Sequence, residues 1–119
     1  MKVRCIELRN WCGEPEEQST ALKVGRVYVV LSLLVESNRL AVQLVSEEQG
    51  PAIFDMRLFE IVSSAIPPNW IVVAHAKGVL DFTPASWARP GFWEEYFDGK
   101  PKAVACFEEE KKKIIECDP

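Results

Sequence analysis

Apolar and polar side chains alternate over residues 2 to 9, the period of two that predicts a first strand. Trp11-Cys-Gly-Glu-Pro-Glu-Glu-Gln-Ser-Thr20 breaks the alternation with Gly13, Pro15 and three acids, and predicts a surface loop. After a turn at Gly25, Val27 to Val35 is dense in β-branched and aliphatic residues and predicts one long strand. Glu36-Ser-Asn-Arg39 is a compact polar turn. Beyond it Leu40, Val42 and Leu44 alternate with Ala41, Gln43 and Val45, the pattern of a half-buried strand, so the two segments predict a hairpin. Glu47-Glu-Gln-Gly50 is the next turn, followed by a short strand Pro51–Phe54, one helical turn Asp55–Leu58 and a strand Phe59–Val62. Pro67 and Pro68 stiffen a loop, and Asn69–His75 is the last clear strand.

The pattern then changes. Val79 to Ala88 has no clean period and predicts an ordered crossover. Pro90 suits the first position of a helix to Phe97, on which Phe92, Trp93, Tyr96 and Phe97 share one face and Glu94 and Glu95 lie opposite. Asp98-Gly99 ends it, and Pro101 opens a second helix to about Cys117 with the stripe Val104, Phe107, Ile114 and Cys117. These elements predict an α+β, mostly β fold: a small antiparallel barrel with two C-terminal helices packed on it. The helical part is too short for a core of its own, so residues 1–119 form one domain, 1–78 the barrel and 79–119 a helical extension.

With 48% hydrophobic, 27% charged and 10% aromatic residues, the chain has ordinary globular composition. Its net charge of -4, from 14 Lys plus Arg and 18 Asp plus Glu, disfavours coating a nucleic-acid backbone or an anionic membrane. Residues 1–9 lack the apolar stretch of a signal peptide, and no apolar run reaches the roughly 18 residues that span a bilayer, so a cytoplasmic protein is expected. Cys5, Cys12, Cys106 and Cys117 include no C-x-x-C pair, and the single His75 is far from all of them in sequence, so no metal site is expected. On one helix, Cys106 and Cys117 would stand about 16 Å apart, too far for a disulfide. Cys5 with Cys12 stays geometrically open, but a reducing cytosol favours four free thiols in or near the core.

Catalytic equipment is missing. No nucleophile sits in an elbow beside His75, which fits a strand-end histidine with a satisfied hydrogen bond. Asp55, Asp81 and Asp98 adjoin turns and are explained by capping, and the six glycines form no phosphate loop or other cofactor motif. Glu108-Glu-Glu-Lys-Lys-Lys113 reads as a solvated helix face with Glu108–Lys112 and Glu109–Lys113 pairs. Two patterns suit recognition instead. Glu14, Glu16 and Glu17, with Glu47 and Glu48, flank the hairpins where acidic groups would steer a basic partner. Trp11 and Trp87 are candidate anchors, although the rings of Trp87-Ala-Arg-Pro-Gly-Phe-Trp93 equally suit sealing a helix onto the strands.

Leu22-Lys-Val-Gly-Arg-Val-Tyr-Val-Val30, the hairpin, and Gly50-Pro-Ala-Ile-Phe-Asp-Met-Arg-Leu-Phe-Glu-Ile-Val62 resemble small bacterial Src-homology-3-like barrels. There a Gly-x-x-Tyr opening, here Gly25 to Tyr28, leads into the barrel, and a helical turn precedes a Leu-Phe-Glu strand. Ile66-Pro-Pro-Asn-Trp-Ile71 and Asp98-Gly-Lys-Pro-Lys-Ala-Val-Ala-Cys-Phe107 look like cytosolic immunity proteins of polymorphic-toxin and contact-dependent-inhibition loci. That resemblance implies a protein without catalysis or cofactor that binds one cognate toxin domain, basic and nuclease-like, and blocks its active site. The alternative is an interaction module that takes a peptide or protein subunit in a barrel groove, with Tyr28, Phe54 and Trp70 as its wall.

Overall fold

Residues 1–10 and 12–119 are described by the computed structural model. Eight strands and two α-helices follow in chain order: β1 (Lys2–Cys5), β2 (Val27–Val29), β3 (Ser32–Val35), β4 (Leu40–Val45), β5 (Pro51–Asp55), β6 (Phe59–Ser63), β7 (Trp70–Ala74), β8 (Leu80–Pro84), α1 (Phe92–Phe97) and α2 (Pro101–Cys117). All strand pairs are antiparallel, in a three-stranded sheet ordered β2-β1-β6 and a five-stranded sheet ordered β5-β4-β3-β8-β7. The fold is therefore α+β and mostly β. The sheets do not close into the expected barrel, because β2, β6, β5 and β7 all remain edges.

The apolar run from Val27 to Val35 is two strands, not one. Val30 N–H still donates to the Met1 carbonyl at 3.0 Å, while Leu31 N–H donates to Gln43 at 2.7 Å. The chain thus changes sheets within one peptide bond, and both side chains are fully buried. The first strand is also shorter than residues 2 to 9: from Ile6 the backbone turns to the Leu58 carbonyl, and Arg9 bridges to Pro15.

Residues 79–88 are not a crossover. Leu80–Pro84 is an inner strand between β3 and β7, so the segment after residue 78 supplies sheet as well as helix, and Asp81 stands in a strand rather than capping a turn. Pro90 lies outside α1, because Gly91 adopts a left-handed turn (φ +82°) before Phe92. The second helix runs from Pro101 to Cys117 as its pattern predicts, and the turn at Met56–Leu58 is a 3₁₀ turn capped by the Asp55 carboxylate, which accepts from Arg57 N–H.

Val3, Cys5, Tyr28 and Phe59 from one sheet, Leu31, Val42 and Leu44 from the other, and Trp87, Phe92, Phe107 and Ile114 from the C-terminal region form a single core cluster. Each fully buried side chain of this size contributes roughly 1.5–3 kcal/mol through apolar burial. Polar ties hold α2 in place: Asn69 Nδ2 donates to the Glu110 carboxylate at 2.6 Å, and Ser63 Oγ to Asp118 Oδ2 at 2.6 Å. On its outer face Lys113 meets Glu109 at 3.8 Å as expected, but Lys112 reaches forward to Glu116 and Lys111 takes Glu108. Among the described residues no helix is long and apolar enough to cross a membrane.

Candidate binding site

The acidic loop is shaped by Asn10. Its side-chain oxygen accepts from the backbone N–H of Cys12 and of Glu14, each at 2.9 Å, and Gly13 supplies the left-handed residue (φ +83°) that the turn requires. Arg9 closes it by donating to the Gly13 carbonyl, and Glu16 N–H ties it to Leu8. Glu14, Glu16 and Glu17 are left exposed.

The end of this loop meets the turn between β4 and β5. Glu47 N–H donates to the Ala21 carbonyl at 2.7 Å, and Thr20 Oγ1 donates to Glu48. Only the end of the loop, residues 20–21, meets this turn, while Gly13 shares a cavity with Arg39, Asp55 and Arg57 at the other end of the β4–β5 hairpin. Glu47 itself is half-buried in an ion pair with Arg26, so its charge is answered within the chain. Trp11 lies outside the described residues.

Trp87 is core. It is 2% exposed, stacks on Phe107 at 5.0 Å and meets Trp93 edge-on at 5.6 Å, so its ring faces the chain's own aromatics and not solvent. Tyr28 and Trp70 are likewise buried, Trp70 donating its indole N–H to the Leu31 carbonyl at 2.9 Å, and Phe54 packs edge-on against Phe59. The apolar groove that is open lies elsewhere: Leu33, Val35, Leu40, Met56 and Phe82 line about 730 Å3, with Arg39 and Arg57 at its rim.

Strand register reveals a second polar constellation with no local signature in the sequence. Phe54, Val42, Leu33, Phe82 and Val72 form one row across the five-stranded sheet. The rows on either side face the other way and carry Asp81, Gln43, Ser32 and Thr83. These four polar residues line a cleft of about 70 Å3, walled by Trp93 of α1. This covering explains why β4 is buried on both faces rather than half-buried. Ser32 Oγ donates to Gln43 Oε1 at 2.9 Å. Burial pushes the Asp81 carboxyl above the usual carboxylate range, and His75 opposes that shift only in part. His75 Nε2 is 3.9 Å from Asp81 Oδ2, too far for a hydrogen bond. The expected satisfied side chain of His75 is thus replaced by a loose contact at an exposed strand end.

A wider cavity of about 700 Å3 opens beside α1 and the start of α2, where Arg89, Lys100 and Lys102 surround Phe92 and Ala103. Arg89 is paired with Glu95. All four cysteines are free; Cys5 is buried and Cys106 and Cys117 are half-buried, but Cys12 is exposed on the acidic loop. Among the described residues no group of three or more His, Cys, Asp or Glu could hold a metal ion. Comparison with protein-family models, curated proteins and solved structures finds no match.

Proposed function

We propose that this chain is a cytoplasmic immunity protein: a non-catalytic binder that neutralises a cognate bacterial toxin domain by covering its active site. The observation that carries this proposal is the exposure of acids on two loops, Glu14, Glu16 and Glu17 on one and Glu48 on the β4–β5 turn. A surface of that sign steers a basic, nuclease-like partner and raises its association rate. Further support comes from the resemblance of the strand and helix sequences to Src-homology-3-like barrels and to immunity proteins.

The test is capture of a partner from the native bacterium on tagged protein, followed by co-expression with the captured domain. One stoichiometric partner that resists a high-salt wash, and whose toxicity co-expression relieves, is the expected outcome. Replacing Glu14, Glu16, Glu17 and Glu48 with glutamine should slow association about tenfold or more at low salt, with a smaller effect at high salt. A partner whose association ignores both the substitutions and the salt would sink the acidic-face mechanism.

The second reading, a module for peptides or subunits, has its own observation in the open groove of Leu33, Val35, Leu40, Met56 and Phe82. It predicts several partners of micromolar affinity, all weakened by Leu33→Ser and none by the glutamine substitutions.

A further inference from the structure

The cleft of Ser32, Gln43, Asp81 and Thr83 holds a carboxylate that the chain answers only loosely. The Asp81 side chain is 28% exposed, and among the described residues His75, at 3.9 Å, is the one basic group within ion-pair distance. Partial burial makes that charge costlier than on an open surface, and a cation entering the cleft offsets the cost.

The neutral groups around it suit the same guest. The Ser32 proton is committed to Gln43, which leaves the Ser32 oxygen lone pairs to accept. Thr83 is 4% exposed and lines the cleft, where its hydroxyl oxygen can accept a hydrogen bond from a guest. Trp93 supplies an indole wall, the aromatic surface that attracts a cation most strongly. The cleft offers a space of about 70 Å3. An ammonium head is close in size to a water molecule, which needs roughly 10–15 Å3 of such space, so a head group fits.

We propose that this cleft receives one positively charged side-chain head, a lysine ammonium or an arginine guanidinium, from the basic partner. The recognition chemistry belongs to this chain's own residues, and the source of the cation rests on the function proposed above. Asp81 supplies the charge, Ser32 and Thr83 accept hydrogen bonds, and Trp93 covers the apolar stem. The acidic loop would bring the partner in from a distance, while the cleft fixes one residue in register.

Titration of isotope-labelled protein with n-butylammonium and with N-methylguanidinium chloride, against sodium chloride at matched ionic strength, tests the site without the partner. The Trp93 indole N–H, the Thr83 amide and the Asp81 carboxyl carbon should move together, with dissociation constants on the order of 1–10 mM for so small a guest. Asp81→Asn, similar in shape and uncharged, should weaken both probes about tenfold, as loss of a charge-assisted hydrogen bond does. Thr83→Val is the second variant, and spectra unchanged away from the cleft show that each variant is folded. Resonances that move no more than in sodium chloride, or an Asp81→Asn protein that binds as tightly, overturn the proposal. Probes that bind while Asp81→Asn leaves the captured partner's affinity unchanged assign the cleft to a small free amine and overturn its role in docking. Probes that bind while the captured partners are several, weakly held and non-toxic uphold the site and remove the toxin-neutralising function.

Discussion

Phe107 joins the C-terminal helices to the sheets, and truncating it measures how far the molecule is one cooperative unit. Its side chain is 1% exposed, stacked on Trp87 at 5.0 Å and packed against Tyr96 at 4.6 Å and Trp93 at 5.9 Å. Replacing a buried Phe by Ala costs about 3–5 kcal/mol in lost transfer energy and cavity formation. Loss of three ring contacts places Phe107→Ala in the upper half of that range, near 4 kcal/mol. At about 0.05–0.15 kcal/mol per residue a chain this long has a total stability of roughly 6–18 kcal/mol, so the variant should fold but with its folded-to-unfolded ratio reduced about a thousandfold. The urea midpoint should fall by about 2 M at an unchanged slope near 2 kcal/mol per molar. Phe97→Ala is the control: its ring is 65% exposed at the same helix pair, and its loss should stay within about 0.5 kcal/mol. Circular dichroism and tryptophan fluorescence should report one coincident transition for each variant. Two separated transitions in Phe107→Ala, with the sheets melting at the wild-type midpoint, would refute a shared core, and so would equal effects of the two substitutions.

Asp81→Asn should raise the melting temperature at neutral pH. The folded carboxyl holds its proton more tightly than the unfolded one, so its contribution is fully present below the ordinary carboxylate value and is lost as pH rises through the folded value. The advantage of the amide should therefore shrink as melting is repeated in increasingly acidic buffer. Asp55→Ala has the opposite sign. Arg57, hydrogen-bonded to the Asp55 side chain, holds that carboxyl below its usual range, so the group stabilises the fold at neutral pH and the benefit is lost as pH falls through the folded value. Loss of the cap should lower stability by about 1 kcal/mol at neutral pH and by little in acid, read from urea midpoints at both. In native protein Cys12 should react first with a thiol reagent, and Cys5, buried and with its thiol pKa pushed up by burial, should react only on unfolding. Rapid native labelling of Cys5, read by mass spectrometry of its peptide, would contradict its place in the core.

Local chemistry made some of this molecule legible. Pro101 and the stripe through Phe107 and Ile114 bound α2 correctly, and the polar tetrad Glu36–Arg39 marked the β3–β4 hairpin. The acids of residues 14–17 stand exposed, as a loop with Gly13 and Pro15 implies. What stayed hidden depended on distant partners. A β-branched run cannot show that Val30 and Leu31 answer to different sheets, because both peptides are equally extended and equally apolar. Asp81 and Pro84 spoiled the alternation of β8, yet Asp81 turns toward the cleft and Pro84 ends the strand. Trp87 sits among Arg89, Pro90 and Gly91, surroundings typical of a surface, and only Phe107, twenty residues on, shows that it is covered. The cleft draws its polar groups from β3, β4 and β8, so no window of sequence contains it.

The pairing of β1 with β6 has a consequence for the newborn chain. Lys2–Cys5 leaves the ribosome long before Phe59–Ser63 exists, and at about 5–20 residues per second it waits roughly 3–11 s for that neighbour. Once Val27–Val29 has emerged β2 guards one side, and the other stays an open template for the wrong strand of another molecule. Lys2 and Arg4, alternating with Val3 and Cys5, put a positive charge at every second position of that waiting edge and so repel a second copy of itself. Once β6 arrives, Arg4 finds Glu60 at 2.8 Å, and the charge that kept strangers away becomes part of the join.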